Sequence, residues 1–257
     1  MLRLLIETAL LIVVYMSLFF VLGQIKKNNG IVDVAWGGGF VLIVLYNLLR
    51  STSPMPRQVL VTILVAVWGL RLAIHLYNRN WAKPEDFRYR KMREKWGKKA
   101  TSRAFWFVYM FQGLLMLLVS YPLIMAHAMP GGSLATLDFA GVAVWIIGFL
   151  FEIVSDAQLK RFVRREKKGA DDIMTGGLWR YSRHPNYFGE VLLWWGLFLI
   201  LLSIPHGWAA VGSPLLVTFL LVKVSGVPLL EKRYADNAAY QAYARKTSVF
   251  IPWFPKK

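Results

Sequence analysis

The sequence has no cysteine and only 4 histidines in 257 residues. Disulfides, thiolate metal sites and cysteine nucleophiles are therefore excluded together, and the scattered histidines lack the paired spacing of a zinc centre, so no metal site is expected. Acidic residues are scarce as well. Against 31 Lys and Arg stand 14 Asp and Glu, a formal net charge of +17, although charged residues make up only 18% of the chain. There is no GxGxxG and no Walker loop, which excludes a nucleotide held by a Rossmann unit or a P-loop. Gly37-Gly38-Gly39 follows no strand signal and reads as close helix packing by small residues rather than as a phosphate cradle. Catalysis is left to carboxylates, Tyr, His, Arg or a bound cofactor.

What the chain has in excess is apolar residues. They form 56% of it, and the 20 glycines raise the share to about 64%, against roughly 45–50% for a soluble domain. They fall in long blocks, which excludes disorder, a stapled secreted module and an outer-membrane barrel. The fold class is an all-α polytopic membrane protein. Runs near the ~20 residues needed to cross hydrocarbon lie at 2–23, 31–49, 59–77, 104–127, 137–157, 188–204 and 207–225, giving seven transmembrane helices. The last two are joined by the short Ser203–Gly207 link with Pro205, as suits a hairpin. No A-x-A site follows the first run, so no cleaved signal peptide is expected.

The cations sort by side. Segments after spans one, three, five and seven carry 26 of the 31 Lys and Arg, and the opposite side carries Arg3, Arg50 and Arg57. The positive-inside rule then sets the N-terminus external and the C-terminus cytoplasmic, an answer that requires an odd number of spans. Anionic membrane lipids account for most of the basic charge, including Lys83–Arg103, at roughly 1 kcal/mol per residue near the surface. Nucleic acid is not an expected partner, nor is an obligate protein partner.

Ionisable groups inside spans usually face a cavity or a partner. Here Asp33 and Trp36 open span two, Trp68, Arg71 and His75 end span three, Glu152 and Asp156 end span five, Asn186 and Glu190 open span six, and Lys223 ends span seven, all toward the cytoplasm. Glu7 and Asp138 alone sit near external ends. Spacings of three or four put Asp33 with Trp36, Trp68 with Arg71, Arg71 with His75, Glu152 with Asp156 and Asn186 with Glu190 on shared helix faces. These faces predict a pocket opening to the cytoplasm. Asp33 and Arg71 read equally well as a structural ion pair between spans two and three.

The most informative segment is 152–190. Glu152, Asp156, Lys160 and Arg164 descend one helical face, carboxylates first and cations last. A turn-rich stretch, Gly169 to Gly177, leads to Arg180, Tyr181, Arg183 and His184 immediately before Pro185. Proline presets a helix start, so span six aims its unpaired N–H groups at an anion site with three neighbouring cations. Asn186 and Glu190 lie one turn inside. Farther on come Glu231, Arg233, Tyr234, Tyr240 and Tyr243, read either as headgroup anchors or as closing the pocket from below.

Ser155-Asp156 through Gly176-Gly177-Leu178, the block Arg183-His184-Pro185-Asn186-Tyr187-Phe188-Gly189-Glu190, and Glu231-Lys232-Arg233-Tyr234 with Tyr240 and Tyr243 resemble the C-terminal domain of the steroid 5-alpha-reductase family. Val32-Asp33-Val34-Ala35-Trp36-Gly37, Trp68-Gly69-Leu70-Arg71 and Glu85-Asp86-Phe87-Arg88-Tyr89 resemble its bacterial multi-span, DUF1295-like branch. The resemblance covers nearly the whole chain as a single membrane domain, with 1–127 on the substrate side and 137–257 on the cofactor side. It implies an integral protein of a bacterial inner membrane that takes NADPH from the cytoplasm and passes hydride to an activated C=C bond of a lipophilic, steroid-like or isoprenoid-like enone. By motif match, Asp156, Asn186 and Glu190 meet the nicotinamide and ribose part, Tyr234 is a cofactor-contacting Tyr, and Arg164, Arg180 and Arg183 meet phosphate. Glu152, Lys160, Tyr181, His184, Glu231 and Arg233 complete the candidate cofactor set. Where the family polarises a 3-oxo group with Glu and Tyr, this chain has Trp36 and Trp68, with Asp33 and Arg71 nearby. It also has Glu152 where the family has Asn.

Reducing an enone needs a donor held at roughly 3–3.5 Å, a group that stabilises the developing enolate oxygen and a proton source. Arg71 is the candidate for the charge, with Asp33 holding it, and Tyr187 for the proton. The Arg-His-Pro-x-Tyr-x-Gly turn also occurs in isoprenylcysteine and phospholipid methyltransferases, so an S-adenosylmethionine-dependent methyltransferase is the alternative.

Overall fold

The computed structural model describes residues 1–80, 84–129, 132–164 and 172–256. The Gly169–Asp171 part of the expected turn and Lys83 lie outside the described residues. Among the described residues every regular element is a helix. Six helical runs among the described residues are long and apolar enough to cross a membrane. They are α1 (Leu2–Ile25), α2 (Ile31–Leu49), α3 (Pro56–Asn80), α4 (Phe87–Val119), α6 (Thr136–Val163) and α8 (Gly207–Arg233). Between them lie α5 (Tyr121–Ala128) and α7 (Pro185–Leu201), and α9 (Ala238–Lys246) follows. The chain is an integral multi-pass membrane protein. Expected span six corresponds to α7, a shorter apolar helix of 17 residues rather than a run of full length.

The chain divides into two compact units, one of residues 1–134 with 204–210 and the other of 135–203 with 211–257. In the first, α1 presents Thr8, Ile12, Met16 and Gly23 inward, while Leu2, Ile6, Leu10, Val14 and Leu18 are exposed. In water that outer stripe would be costly; against lipid tails it is not, because burial there removes no apolar surface from water. Helices α2 and α3 touch backbone to backbone. A Cβ on Gly69 would lie 2.7 Å from the Gly37 carbonyl oxygen, and one on Gly37 would meet the Gly69 carbonyl. The first and third glycines of the triplet thus pack helices, Gly39 against Met116. Around them sit the fully buried Phe40, Trp68, Met16 and Tyr109.

Helix α4 starts earlier than hydropathy suggests. Asp86 caps it, its side chain accepting from the Arg88 N–H at 2.9 Å, so the polar run before residue 104 is helical too.

The second unit is built on an antiparallel pair, α6 and α7. Gly141 faces Gly196 and Gly148 faces Gly189, and a Cβ on any of the four would stand 2.5–2.7 Å from the opposite carbonyl oxygen. Small residues at a seven-residue repeat on both helices permit this approach. One turn beyond Gly148 and Gly189 toward the helix ends lie Glu152 and Asn186, and Asp156 lies one turn farther along α6.

Candidate functional site

In the second unit, the turn before α7 is held from several directions. Gln158 of α6 accepts the Leu178 N–H at 3.0 Å, and the Trp179 indole donates to the Ser155 carbonyl at 3.1 Å. From the C-terminal segment, the Ser248 carbonyl accepts the Arg183 N–H at 2.9 Å and the Phe250 carbonyl accepts the Ser182 hydroxyl at 2.7 Å. Trp253 N–H donates to the Tyr181 carbonyl at 2.9 Å. The Tyr243 hydroxyl donates to the Trp179 carbonyl and, at 3.3 Å, to the Ser182 carbonyl. Ser182 and His184 are buried, and His184 occupies the N-cap position before Pro185.

Glu231 is the hub of this region. Its carboxylate accepts from His184 Nε2 at 2.9 Å, from the Tyr240 hydroxyl at 2.7 Å and from Arg183 Nη1 at 3.2 Å. Burial lowers the His184 pKa below its ordinary 6.5, outweighing the upward pull of Glu231. The ring is therefore neutral, with its proton on Nε2 facing the carboxylate. Burial and the Glu231 bond raise the Tyr240 hydroxyl above its usual value, so it donates and stays neutral. Of the three cations expected at the anion site, His184 carries no charge and Arg183 is paired, while Arg180 is exposed. Two buried polar atoms at this hub, Arg183 Nε and His184 Nδ1, have no hydrogen-bond partner among the described residues.

Beside this hub, Asn186 Nδ2 donates to Asp156 Oδ1 at 3.3 Å. Tyr187 stacks on His184, ring centroids 5.6 Å apart and 8° from parallel. The α6 ladder grades from buried Glu152 through half-buried Asp156 to exposed Lys160 and Arg164. Glu190 is half-buried. Arg233 lies over the Tyr234 ring at 6.0 Å, and Tyr234 stacks on Tyr240 at 5.2 Å.

In the first unit, Asp33 is held by Arg88 and Tyr89 rather than by Arg71. Tyr89 hydroxyl donates to Oδ1 at 2.8 Å and Arg88 Nη2 to Oδ2 at 3.2 Å. Arg88 Nε in turn donates to Asp86 at 2.9 Å. Glu85 accepts from Arg93 Nη2 at 2.7 Å and from the Asn29 N–H at 2.8 Å. Trp36 and Trp68 are joined through Phe40, with centroid distances of 5.3 and 5.5 Å. Arg71 is half-buried on α3.

Sequence reasoning missed the roles of Arg88, Tyr89, Ser182 and Gln158. The first two stand in the Glu85–Tyr89 motif, where an Asp two residues before an Arg at a helix start was the available signal. Ser182 and Gln158 bond to main chain distant in sequence and carry no local signature.

A family model described as "Protein of unknown function (DUF1295)" matches residues 19–247. An uncharacterised protein of Schizosaccharomyces pombe is 24% identical over 93% of this chain and 79% of its own length. The bovine 3-oxo-5-alpha-steroid 4-dehydrogenase 1 is 44% identical over 69 residues, 27% of this chain and 26% of that enzyme. Steroid 5-alpha-reductase DET2 of Arabidopsis thaliana is 36% identical over 72 residues, 28% of this chain and 26% of that protein. The stretches shared with these two reductases therefore span about a quarter of each. No solved structure matches the chain. With residues 19–247 covered by its model, the chain belongs to the DUF1295 family and is steroid 5-alpha-reductase-like.

Proposed function

We propose that the protein is an NADPH-dependent membrane reductase acting on an activated C=C bond of a lipophilic enone. The observation that carries the cofactor half is the pair of buried, unpartnered polar atoms beside Glu231. Arg183 Nε is a charged donor without an acceptor, and His184 Nδ1, in the neutral tautomer, is an acceptor without a donor. Leaving such groups unsatisfied costs about 1–3 kcal/mol each. A ligand with anionic oxygens and hydroxyls, as a nucleotide has, satisfies both. Its phosphates suit the exposed Lys160, Arg164 and Arg180, and the Asp156–Asn186 pair suits a carboxamide or ribose hydroxyl. The donor set fits NADPH, which supplies hydride when bound.

The reaction is drawn from the reductases named among the relatives. For the chain's own residues, Glu231 fixes the orientation of Arg183 and His184, Tyr181 and Tyr234 are cofactor-side aromatics, and Tyr187 is the proposed proton donor. Trp36, Trp68, Arg71 and Asp33 are the substrate-side proposals. Because Asp33 is taken by Arg88 and Tyr89, it supports the shape of its surroundings, and Arg71 is the cation proposed to stabilise an enolate oxygen. The proposed topology has seven spans, with the N-terminus external and the C-terminus in the cytoplasm of a bacterial inner membrane. The six long helices and the apolar α7 support that count.

The test is a thermal shift of detergent-solubilised protein with NADPH, NADH and S-adenosylmethionine. A ligand at 100 times its dissociation constant stabilises by about 2.7 kcal/mol. NADPH is expected to raise the midpoint most; stabilisation by S-adenosylmethionine alone would replace the reductase reading with a methyltransferase.

A further inference from the structure

At the end of the first unit opposite Asp33, about 21 Å along α2 at 1.5 Å per residue, a cavity of about 280 Å³ opens between the start of α1, the end of α2 and the end of α5. Its lining includes Arg3, Glu7, Asn47, Arg50 and His127. Glu7 accepts from Arg3 Nε at 2.8 Å, from Arg50 Nε at 3.1 Å and from the Tyr46 hydroxyl at 3.1 Å. One carboxylate thus stands between two guanidiniums, a local surplus of one positive charge. His127 adds none. Its Nδ1 lies 2.7 Å from the Leu123 carbonyl and its Nε2 3.0 Å from the Thr62 hydroxyl, which a neutral ring satisfies on both sides.

Asn47 is only 1% exposed. Its Oδ1 accepts from the Thr8 hydroxyl at 3.1 Å, but its Nδ2 has no partner. A buried amide left this way costs free energy that an incoming acceptor recovers. The Asn47 amide is thus a spare donor at the cavity. The same helices turn Leu2 and Ile6 of α1 and Leu45 and Leu49 of α2 outward, apolar surface along which acyl chains lie.

We propose that this cavity seats the phosphodiester of an anionic phospholipid, its oxygens taking the Asn47 amide and the free edges of Arg3 and Arg50. The site is independent of the reductase reading and lies in a region where sequence analysis assigned no function. It offers charge-assisted donors to phosphate.

Delipidated protein in detergent is titrated with phosphatidylglycerol, phosphatidylcholine or inorganic phosphate, with retained lipid counted by native mass spectrometry and stability followed by thermal shift. Phosphatidylglycerol is expected to bind roughly fivefold or more tightly than phosphatidylcholine, and to lose a similar factor in Arg50→Gln and in Asn47→Asp. The Asp variant keeps the acceptor for Thr8 while replacing the spare donor with an anion. Lys98→Gln, on an exposed residue far along the chain, is expected to bind as the parent does. Equal retention of phosphatidylglycerol by the parent and Arg50→Gln would overturn the proposal, and so would stabilisation by inorganic phosphate with none by the lipid. Circular dichroism checks folding, and if Asn47→Asp unfolds, the exposed Arg50→Gln decides alone.

Discussion

Gly148 and Gly189 meet face to face: a Cβ on Gly148 would lie 2.6 Å from the Gly189 carbonyl oxygen, and one on Gly189 would lie 2.5 Å from the Gly148 carbonyl oxygen and 2.6 Å from the Glu152 nitrogen. All three opposing atoms are backbone, which cannot swing aside. Gly189→Ala should therefore push α7 off α6 at a cost of about 1–3 kcal/mol or more. It should also weaken NADPH binding, because Asn186 sits one turn and Asp156 two turns from the contact on the same two helices. Thermal melts with and without NADPH check both; an unchanged midpoint in the variant would show that the helices do not touch there.

The acid–amide pair gives a sharper test of the cofactor site. Asn186→Ala removes the donor to Asp156, and Glu190→Ala removes the half-buried carboxylate one turn farther along α7. Both should lose the NADPH-induced shift by roughly tenfold or more in affinity, equivalent to about 1.4 kcal/mol, while Gln112→Ala in the first unit keeps it. Parallel loss in all three would mark general unfolding.

Asp33 and Arg88 should be energetically coupled. A double-mutant cycle with Asp33→Asn and Arg88→Gln is expected to return about 0.5–3 kcal/mol of interaction, and one with Asp33→Asn and Arg71→Gln much less. Denaturation in detergent supplies the four midpoints of each cycle. A larger coupling to Arg71 would restore the ion pair that the sequence suggested between spans two and three.

That contrast shows what was legible in the sequence. Span two was readable to the residue, since Gly30 and Arg50 bracket a run apolar apart from Asp33 and Asn47. Span four was not, because the chain becomes helical at Phe87 with a capped polar turn that hydropathy does not register. Placement on one helix follows from spacing alone, so Asp33 and Trp36 share α2, and Asn186 and Glu190 share α7, as counting gives. Pairing across 55 residues does not: several cations stood at suitable depths, and only packing selected Arg88 for Asp33. The Arg183-His184 dipeptide likewise announced an anion site, but its dominant partner is the protein's own Glu231, 47 residues beyond His184.

His184 gives the site a pH dependence of known sign. Its folded pKa lies below 6.5, so folded and unfolded chains are both neutral there at high pH, and its contribution is complete above that value. As pH falls, the unfolded chain takes up the proton first and stability declines until the folded pKa is reached, with a slope of at most about 1.4 kcal/mol per pH unit. His184→Gln keeps a donor toward Glu231 and should remove this part of the acid decline. Midpoints recorded from about pH 8 to about pH 5 for both proteins check it; identical slopes would mean the ring protonates as easily folded as unfolded.

The C-terminal segment should be needed for binding through its backbone rather than its side chains. Arg183 N–H, Ser182 hydroxyl and Tyr181 carbonyl bond to main-chain groups of Ser248, Phe250 and Trp253. The rings of Trp253 and Phe254 are themselves 71% and 76% exposed. Each lost bond costs about 0.5–1.5 kcal/mol, and more where a buried group such as Ser182 is left bare. A chain ending at Lys246 should keep its helix content yet lose most of the NADPH response, because the turn that orients Arg183 and His184 is released. Trp253→Ala leaves the backbone bond in place and should bind as the parent does. If Trp253→Ala abolishes the response as the shortened chain does, the segment acts through its rings; if the shortened chain retains the response, the bracing of the turn by backbone bonds is not needed for binding.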